Sequence, residues 1–302
     1  MMALISTIRF IINHPLNRDH KTKAIFRFCK WQLNNMLNPY PIIYPFTEKS
    51  KLIIQKGMHG ATGNLYCGLR DYEDMSFVLH FLRENDLFVD IGANVGSYSI
   101  LATAHVGAET ISIEPVPSTF THLIDNININ KIQEKVTALN VALGSEEGTI
   151  NFTKNHDATN HVATSSDKDI ITVPVCSLDK IITGKHIPIL LKIDVEGFET
   201  EVLNGASKTL INDELKAIII ELNGSGKRYG YDESLIHQKL VDFGFTPFRY
   251  NPAKRELIEI DTFGSHNNTI YMRDIEYINE RLRNAETIKL SDNIIYLNKE
   301  EI

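Results

Sequence analysis

Residues 88–100, FVDIGANVGSYSI, decide the fold. Leu87 to Val89 and Ile91 form an apolar run of the kind found in strands buried on both faces. Gly92 and Gly96 follow, bracketing a tight turn into a segment of helical character. Strand, glycine turn and helix open a Rossmann-like unit, in which a ligand can lie against bare backbone.

The turn also says which ligand. A dinucleotide site needs GxGxxG so that backbone can approach a pyrophosphate. Here Asn94 stands where the second glycine belongs, and Asp90 aims a carboxylate at the turn. A cationic ligand without phosphate answers both objections. S-adenosylmethionine carries a sulfonium and an ammonium group, which Asp90 and Asn94 are expected to meet. A second strand, TISIEP (110–115), ends in Glu114, placed to accept both ribose hydroxyls of an adenosine-containing ligand.

Outward from this core the pattern repeats. KVTALNVAL (135–143), PILLKIDVEG (188–197) and KAIIIELNG (216–224) read as three more strands, with helical patterns between. The fold expected is α/β, a mostly parallel, doubly wound sheet. TPFRYNPAKRELIEI (246–260) and NNTIYMR (267–273) suggest an antiparallel edge, and DIEYINERLRNA (274–285) an amphipathic helix. KLIIQ (51–55) suits a strand, residues 56–70 an ordered Gly/Asn-rich loop, and residues 74–83 a helix. Residues 1–50 read as a helical N-terminal extension, 51–275 as the main domain, and 276–302 as a C-terminal helix and tail on the same domain.

Residues 145–180 are longer than a normal crossover and read as a β-excursion over the ligand edge of the sheet. With the 56–75 loop, this excursion is expected to shape an acceptor pocket. His156 and His161 lie in it, each also readable as a solvated loop histidine.

Four segments resemble the FkbM-type methyltransferases: FVDIGANVGSYS, IEPVPSTFTHLIDNININ, LLKIDVEGFETEVLNGA and IIIELNG. The resemblance runs from about Gly57 to Gly224, and the acidic DVEGFE after a buried strand is its most specific part. It implies a class I methyltransferase fold, S-adenosylmethionine as donor, and O-methylation of sugar or small-metabolite hydroxyls. It also implies a donor site of Asp90, Gly92, Asn94, Gly96 and Ser97, with Glu114 on the ribose, Asn126 in the next helix, Ala142 beside adenine and Glu73 as a lid contact.

Methyl transfer to an alcohol needs in-line positioning and help in removing a proton. Asp194 is the first candidate base, Glu221 the second, and His161 a further one. Lys192 is expected to neutralise a carboxylate, Glu196 to cap the helix after Gly197, and Glu199 to face solvent. A divalent ion such as magnesium, held by Asp194, Glu221 and Asn223, is an alternative route that leaves the metal question open. Two rivals stand beside this reading: a nicotinamide-dependent oxidoreductase, disfavoured by Asn94 and Asp90, and a non-catalytic binding domain, disfavoured by the intact strand-end acids.

The formal charge of −7 disfavours nucleic acid as a partner. Cys29, Cys67 and Cys176 are too scattered for a disulfide framework or a zinc site, which points to the cytoplasm. The apolar N-terminus falls short of the ~20 residues of a spanning helix. A packed helix is expected there, with peripheral membrane contact through Arg18, Lys21, Lys23, Arg27 and Lys30 as the functional alternative. The partners expected are a glycan or small-molecule acceptor; the oligomeric state is not readable.

Overall fold

Helices α1 (Met2–Asn13) and α2 (Lys21–Leu37) lead the chain, followed by an antiparallel hairpin of β1 (Ile42–Pro45) and β2 (Lys51–Ile54). The computed structural model describes residues 2–154, 159–264, 268–290 and 295–297. Helices α3 (His59–Cys67) and α4 (Tyr72–Phe81) come next. Residues 59–67, expected as loop, are therefore helical despite two glycines. Gly63 serves packing: a Cβ there would come within 2.6 Å of Arg70 Cδ, so the arginine stem lies across the bare backbone. Tertiary contact outweighs the poor helix propensity of the segment.

The repeating units follow: β3 (Leu87–Ile91), α5 (Ser97–Ile100), which continues as a wider π-turn to Val106, β4 (Glu109–Ile113), α6 (Pro117–Asn130) and β5 (Val136–Leu139). The strand expected over 135–143 breaks at Asn140, whose Nδ2 donates to the carbonyls of Glu114 and Pro115. Its second half, β6 (Ala142–Leu143), leaves the main sheet and pairs with β8 (Ile170–Cys176), which also pairs with β7 (Gly148–Thr153). β7 and β8 are the β-excursion expected over 145–180, and β6 joins it. His156 lies outside the described residues.

The chain returns through α7 (Leu178–Ile182), β9 (Leu190–Ile193), α8 (Glu199–Asn204), α9 (Ser207–Ile211), β10 (Ala217–Glu221) and α10 (Glu233–Asp242). β11 (Thr246–Asn251) and β12 (Glu256–Glu259) form a hairpin, then come β13 (Asn268–Met272) and α11 (Ile275–Arg283). The eight-stranded order is β12-β11-β13-β10-β9-β3-β4-β5. From β10 to β5 all pairings are parallel. β13 runs antiparallel to β10 and β11, and β12 antiparallel to β11, so β13, β11 and β12 form the expected antiparallel flank at one edge, with β13 its innermost strand. This is the class I methyltransferase arrangement.

Chain direction reverses sides at β3, which pairs with β4 on one flank and β9 on the other. That switch point opens a crevice beyond the carboxyl ends of the strands. Both faces are packed. One core holds Phe77, Phe81 and Phe88 together with Ile11, Phe28 and Trp31, so the N-terminal helices share the core of the sheet. The other holds Leu191, Ile193, Ile218 and Ile220.

Candidate active site

Two backbone approaches build the cleft at the switch point. Gly92, at φ +77°, lies so close to β9 that a Cβ would sit 1.9 Å from the Asp194 carbonyl oxygen. Gly96, at φ +89°, would place a Cβ 2.5 Å from Leu123 of α6. Both glycines were expected to make room for a ligand; both make room for protein. Asn94 takes the left-handed conformation at φ +51°, which asparagine tolerates because its side chain bonds locally, here accepting from the Val95 N–H at 2.8 Å.

Glu114 closes the turn. Its Oε2 accepts from the Asn94 N–H at 3.0 Å and its Oε1 from the Val116 N–H at 2.9 Å. Burial pushes this carboxyl up to about 7, against the pull of those two N–H groups. Each oxygen keeps a lone pair, and the side chain lines the cleft with Val116, Ala142 and Leu143, an apolar wall suited to a flat base. Gly92, Asn94 and Ser97 also line it.

Three expected donor residues are placed elsewhere. Asp90 is not in the cleft wall: its Oδ2 accepts from Ser99 N–H and Oγ–H, and its Oδ1 is buried without a partner. Asn126 is fully buried, donating to the Val95 carbonyl and accepting from the Ile53 N–H, so it ties α6 to the donor turn and to β2. Glu73 pairs with Arg249 of β11 instead of covering the cleft. Its neighbours Arg70 and Asp71 line the cleft instead. No motif marks Arg70, because only the fold of α3 and α4 brings that loop to the sheet.

The strand-end acids line the same cleft as Glu114. Asp194, Glu196 and Glu221 each offer an oxygen within 4.8 Å of the others. Lys192 Nζ lies 3.0 Å from Asp194 Oδ2, with the lysine side chain only 4% exposed. The ammonium is held charged by Asp194 and Asp90, which more than offset its burial. Glu221 is pushed up to about 9 by burial, and then by the charges of Asp194 and Glu196. Its Oε2 is buried without a partner.

Glu199 takes the capping place expected of Glu196, and neither faces open solvent. Glu199 is buried, its Oε1 accepting from the N–H groups of Val195 and Gly197, so it caps the turn. Glu196, at φ +55°, faces the cleft, and burial pushes it up to about 7. Asn223 does not join the acids: it is exposed, and its Oδ1 accepts from the Ser225 N–H at 2.9 Å. β10 ends at Glu221, so alternation cannot carry Asn223 to the same side. Three carboxylates, not two and an amide, are therefore the oxygen set that a cation would meet. His161 is set apart too. Its Nδ1 meets the Thr159 carbonyl at 2.9 Å and its Nε2 lies 3.7 Å from Asp167. Thr159 and Asn160 line the cleft; His161 braces the loop behind them.

The FkbM methyltransferase domain model matches residues 90–247. Among curated proteins, the chain is similar to the hexuronic acid methyltransferase AglP of Haloferax volcanii, 28% identical over 158 residues, or 51% of this chain and 64% of that protein. The match thus spans less than two thirds of that relative. A shorter match, 34% over 59 residues, is to a Pyrococcus horikoshii tRNA(Phe) (4-demethylwyosine(37)-C(7)) aminocarboxypropyltransferase, covering 20% of this chain and 21% of the other. Among solved structures, methyltransferase FkbM from Methylobacillus flagellatus aligns with TM-score 0.45 and 16% identity, over 71% of this chain and 55% of that one. The family match takes in the donor turn, Glu114 and every strand-end acid described above, and covers more than half of the sequence: the chain belongs to the FkbM methyltransferase family.

Proposed function

We propose that this protein is an S-adenosylmethionine-dependent O-methyltransferase acting on a hydroxyl of a sugar or glycan. One observation carries the reading: Glu114 and the group Asp194, Glu196 and Glu221 line one and the same cleft. The likeness to a hexuronic acid methyltransferase favours a sugar over other small hydroxyl compounds.

In this reading Glu114 accepts the ribose hydroxyls, and Val116, Ala142 and Leu143 flank the base. Arg70 faces the donor's carboxylate; it and Lys192 are the cationic side chains among the described residues lining the cleft. When bound, the donor supplies an electrophilic methyl group. Asp194, fixed by Lys192, accepts the proton of the acceptor hydroxyl, and Glu221, neutral near pH 7, hydrogen-bonds without competing for that proton. Direct carboxylate catalysis is favoured over a bound cation because the Lys192 ammonium already occupies Asp194 Oδ2 and would repel a second positive charge.

Three free cysteines among the described residues support a cytoplasmic setting. The test is transfer of labelled methyl from S-adenosylmethionine to a panel of free and oligosaccharide-bound hexoses and hexuronic acids. Label in none of these sugars, with turnover of a non-sugar hydroxyl compound, would overturn the sugar assignment.

A further inference from the structure

Helix α2 is apolar on two opposite faces. Ala24, Phe28 and Trp31 are buried against the domain. At about 100° per residue, Phe26, Leu33, Met36 and Leu37 fall within roughly 100° of arc on the other side. They are 69%, 57%, 81% and 76% exposed. Across the described residues, nine of the fourteen large hydrophobics left exposed lie between Leu4 and Ile43, so the exposure belongs to this module and not to the surface at large.

Charge divides the same way. Residues 1–47 carry six Lys/Arg and one acid, whereas residues 48–302 carry 25 Lys/Arg and 37 acids. Lys23 and Lys30 edge the apolar stripe, and Arg9, Arg18 and Lys21 are exposed nearby in the sequence. No helix among the described residues is long and apolar enough to cross a membrane. An apolar stripe edged by lysine, on a basic module of an acidic protein, matches the interface of an anionic bilayer, with side chains in the acyl boundary and ammonium groups among the headgroups. A second copy fits worse, because self-pairing would bring two basic modules together.

We propose that the outer face of α2 seats this protein on an anionic phospholipid surface. The seat is close to the cleft. Arg27, on α2, donates to the carbonyl of Tyr66 in α3, and Gly60 at the start of α3 and Arg70 just beyond its end line the cleft. Helix α2 thus packs on the helix whose two ends reach that wall, which favours an acceptor presented at a membrane. The surface assignment itself does not depend on the methyltransferase reading.

The test is co-sedimentation of the full chain with vesicles of phosphatidylcholine alone or with about one-third phosphatidylglycerol. We expect binding to the anionic vesicles only, weakened as salt rises. The double variant Leu33→Glu/Met36→Glu should bind at least about tenfold less, with an unchanged thermal melt because both positions are exposed. Failure to bind anionic vesicles, or equal binding by the melt-competent double variant, overturns the proposal. A dimer seen by light scattering that the double variant dissolves also overturns it, by assigning the stripe to a second copy.

Discussion

Gly92 of the donor turn and Asp194 of the strand-end acids touch through backbone: a Cβ on the first would lie 1.9 Å from the carbonyl oxygen of the second. Donor turn and candidate base are thus fixed to each other without any side-chain contact.

Gly92→Ala should therefore cost far more than its backbone angle. Gly184 has nearly the same φ, +76° against +77°, but open space where a Cβ would go. Gly184→Ala should cost about 1–2 kcal/mol, the ordinary penalty of a left-handed alanine. Gly92→Ala should exceed that by about 2 kcal/mol or more, or yield no folded protein, because β3 and β9 must part. Equal melting losses for the two variants would show that the contact yields.

Lys192→Met should reduce both stability and turnover. It leaves Asp194 without its cation and Asp90 with less compensation, and breaking a largely buried ion pair costs about 3–5 kcal/mol when neither partner relaxes. Because Asp194 is about one-third exposed, about 2–3 kcal/mol is expected in denaturant unfolding. Turnover of the folded variant should fall at saturating acceptor, since Asp194 loses the contact that fixes it. A purely structural lysine would lower stability and leave the turnover of the folded enzyme in place.

Glu221→Gln should stabilise the protein at pH 8 and much less at pH 5. The folded carboxyl sits at about 9 against an ordinary 4.5, so its contribution is full below 4.5 and is lost as pH rises toward 9. At pH 8 the unfolded chain releases this proton while the folded protein retains it, which favours unfolding; glutamine removes that term. Thermal melts across pH 5 to 9 measure it, and a stability difference independent of pH would rule out the raised carboxyl.

Glu114→Gln should weaken S-adenosylhomocysteine binding by about 2–3 kcal/mol, read by calorimetry. Glutamine offers one acceptor where two backbone N–H groups and two hydroxyls converge. Unchanged affinity in a folded variant would remove Glu114 from the ribose.

Arg70→Gln should raise the Kd for the same ligand about tenfold, the loss of about one solvent-exposed charged hydrogen bond. An unchanged Kd combined with a raised KM for a hexuronic acid would move Arg70 to the acceptor side.

The sheet was legible in the sequence because buried parallel strands are near-continuous apolar runs, and the acids at their ends interrupt those runs. Glu114, Asp194 and Glu221 stand out in this way, as do the glycines that bracket the donor turn. What the sequence by itself determined was thus the strand set and the residues at its carboxyl edge. Only the tertiary structure decided which way those residues point. Asp90 turns from the cleft to Ser99, Glu199 takes the capping place expected of Glu196, Asn126 bonds backbone on both sides, and Arg70 enters from the turn between α3 and α4. The physical reason is range. Burial and strand periodicity are written in neighbouring residues, whereas side-chain partners are set by backbone N–H groups and ion pairs from segments far away in the chain.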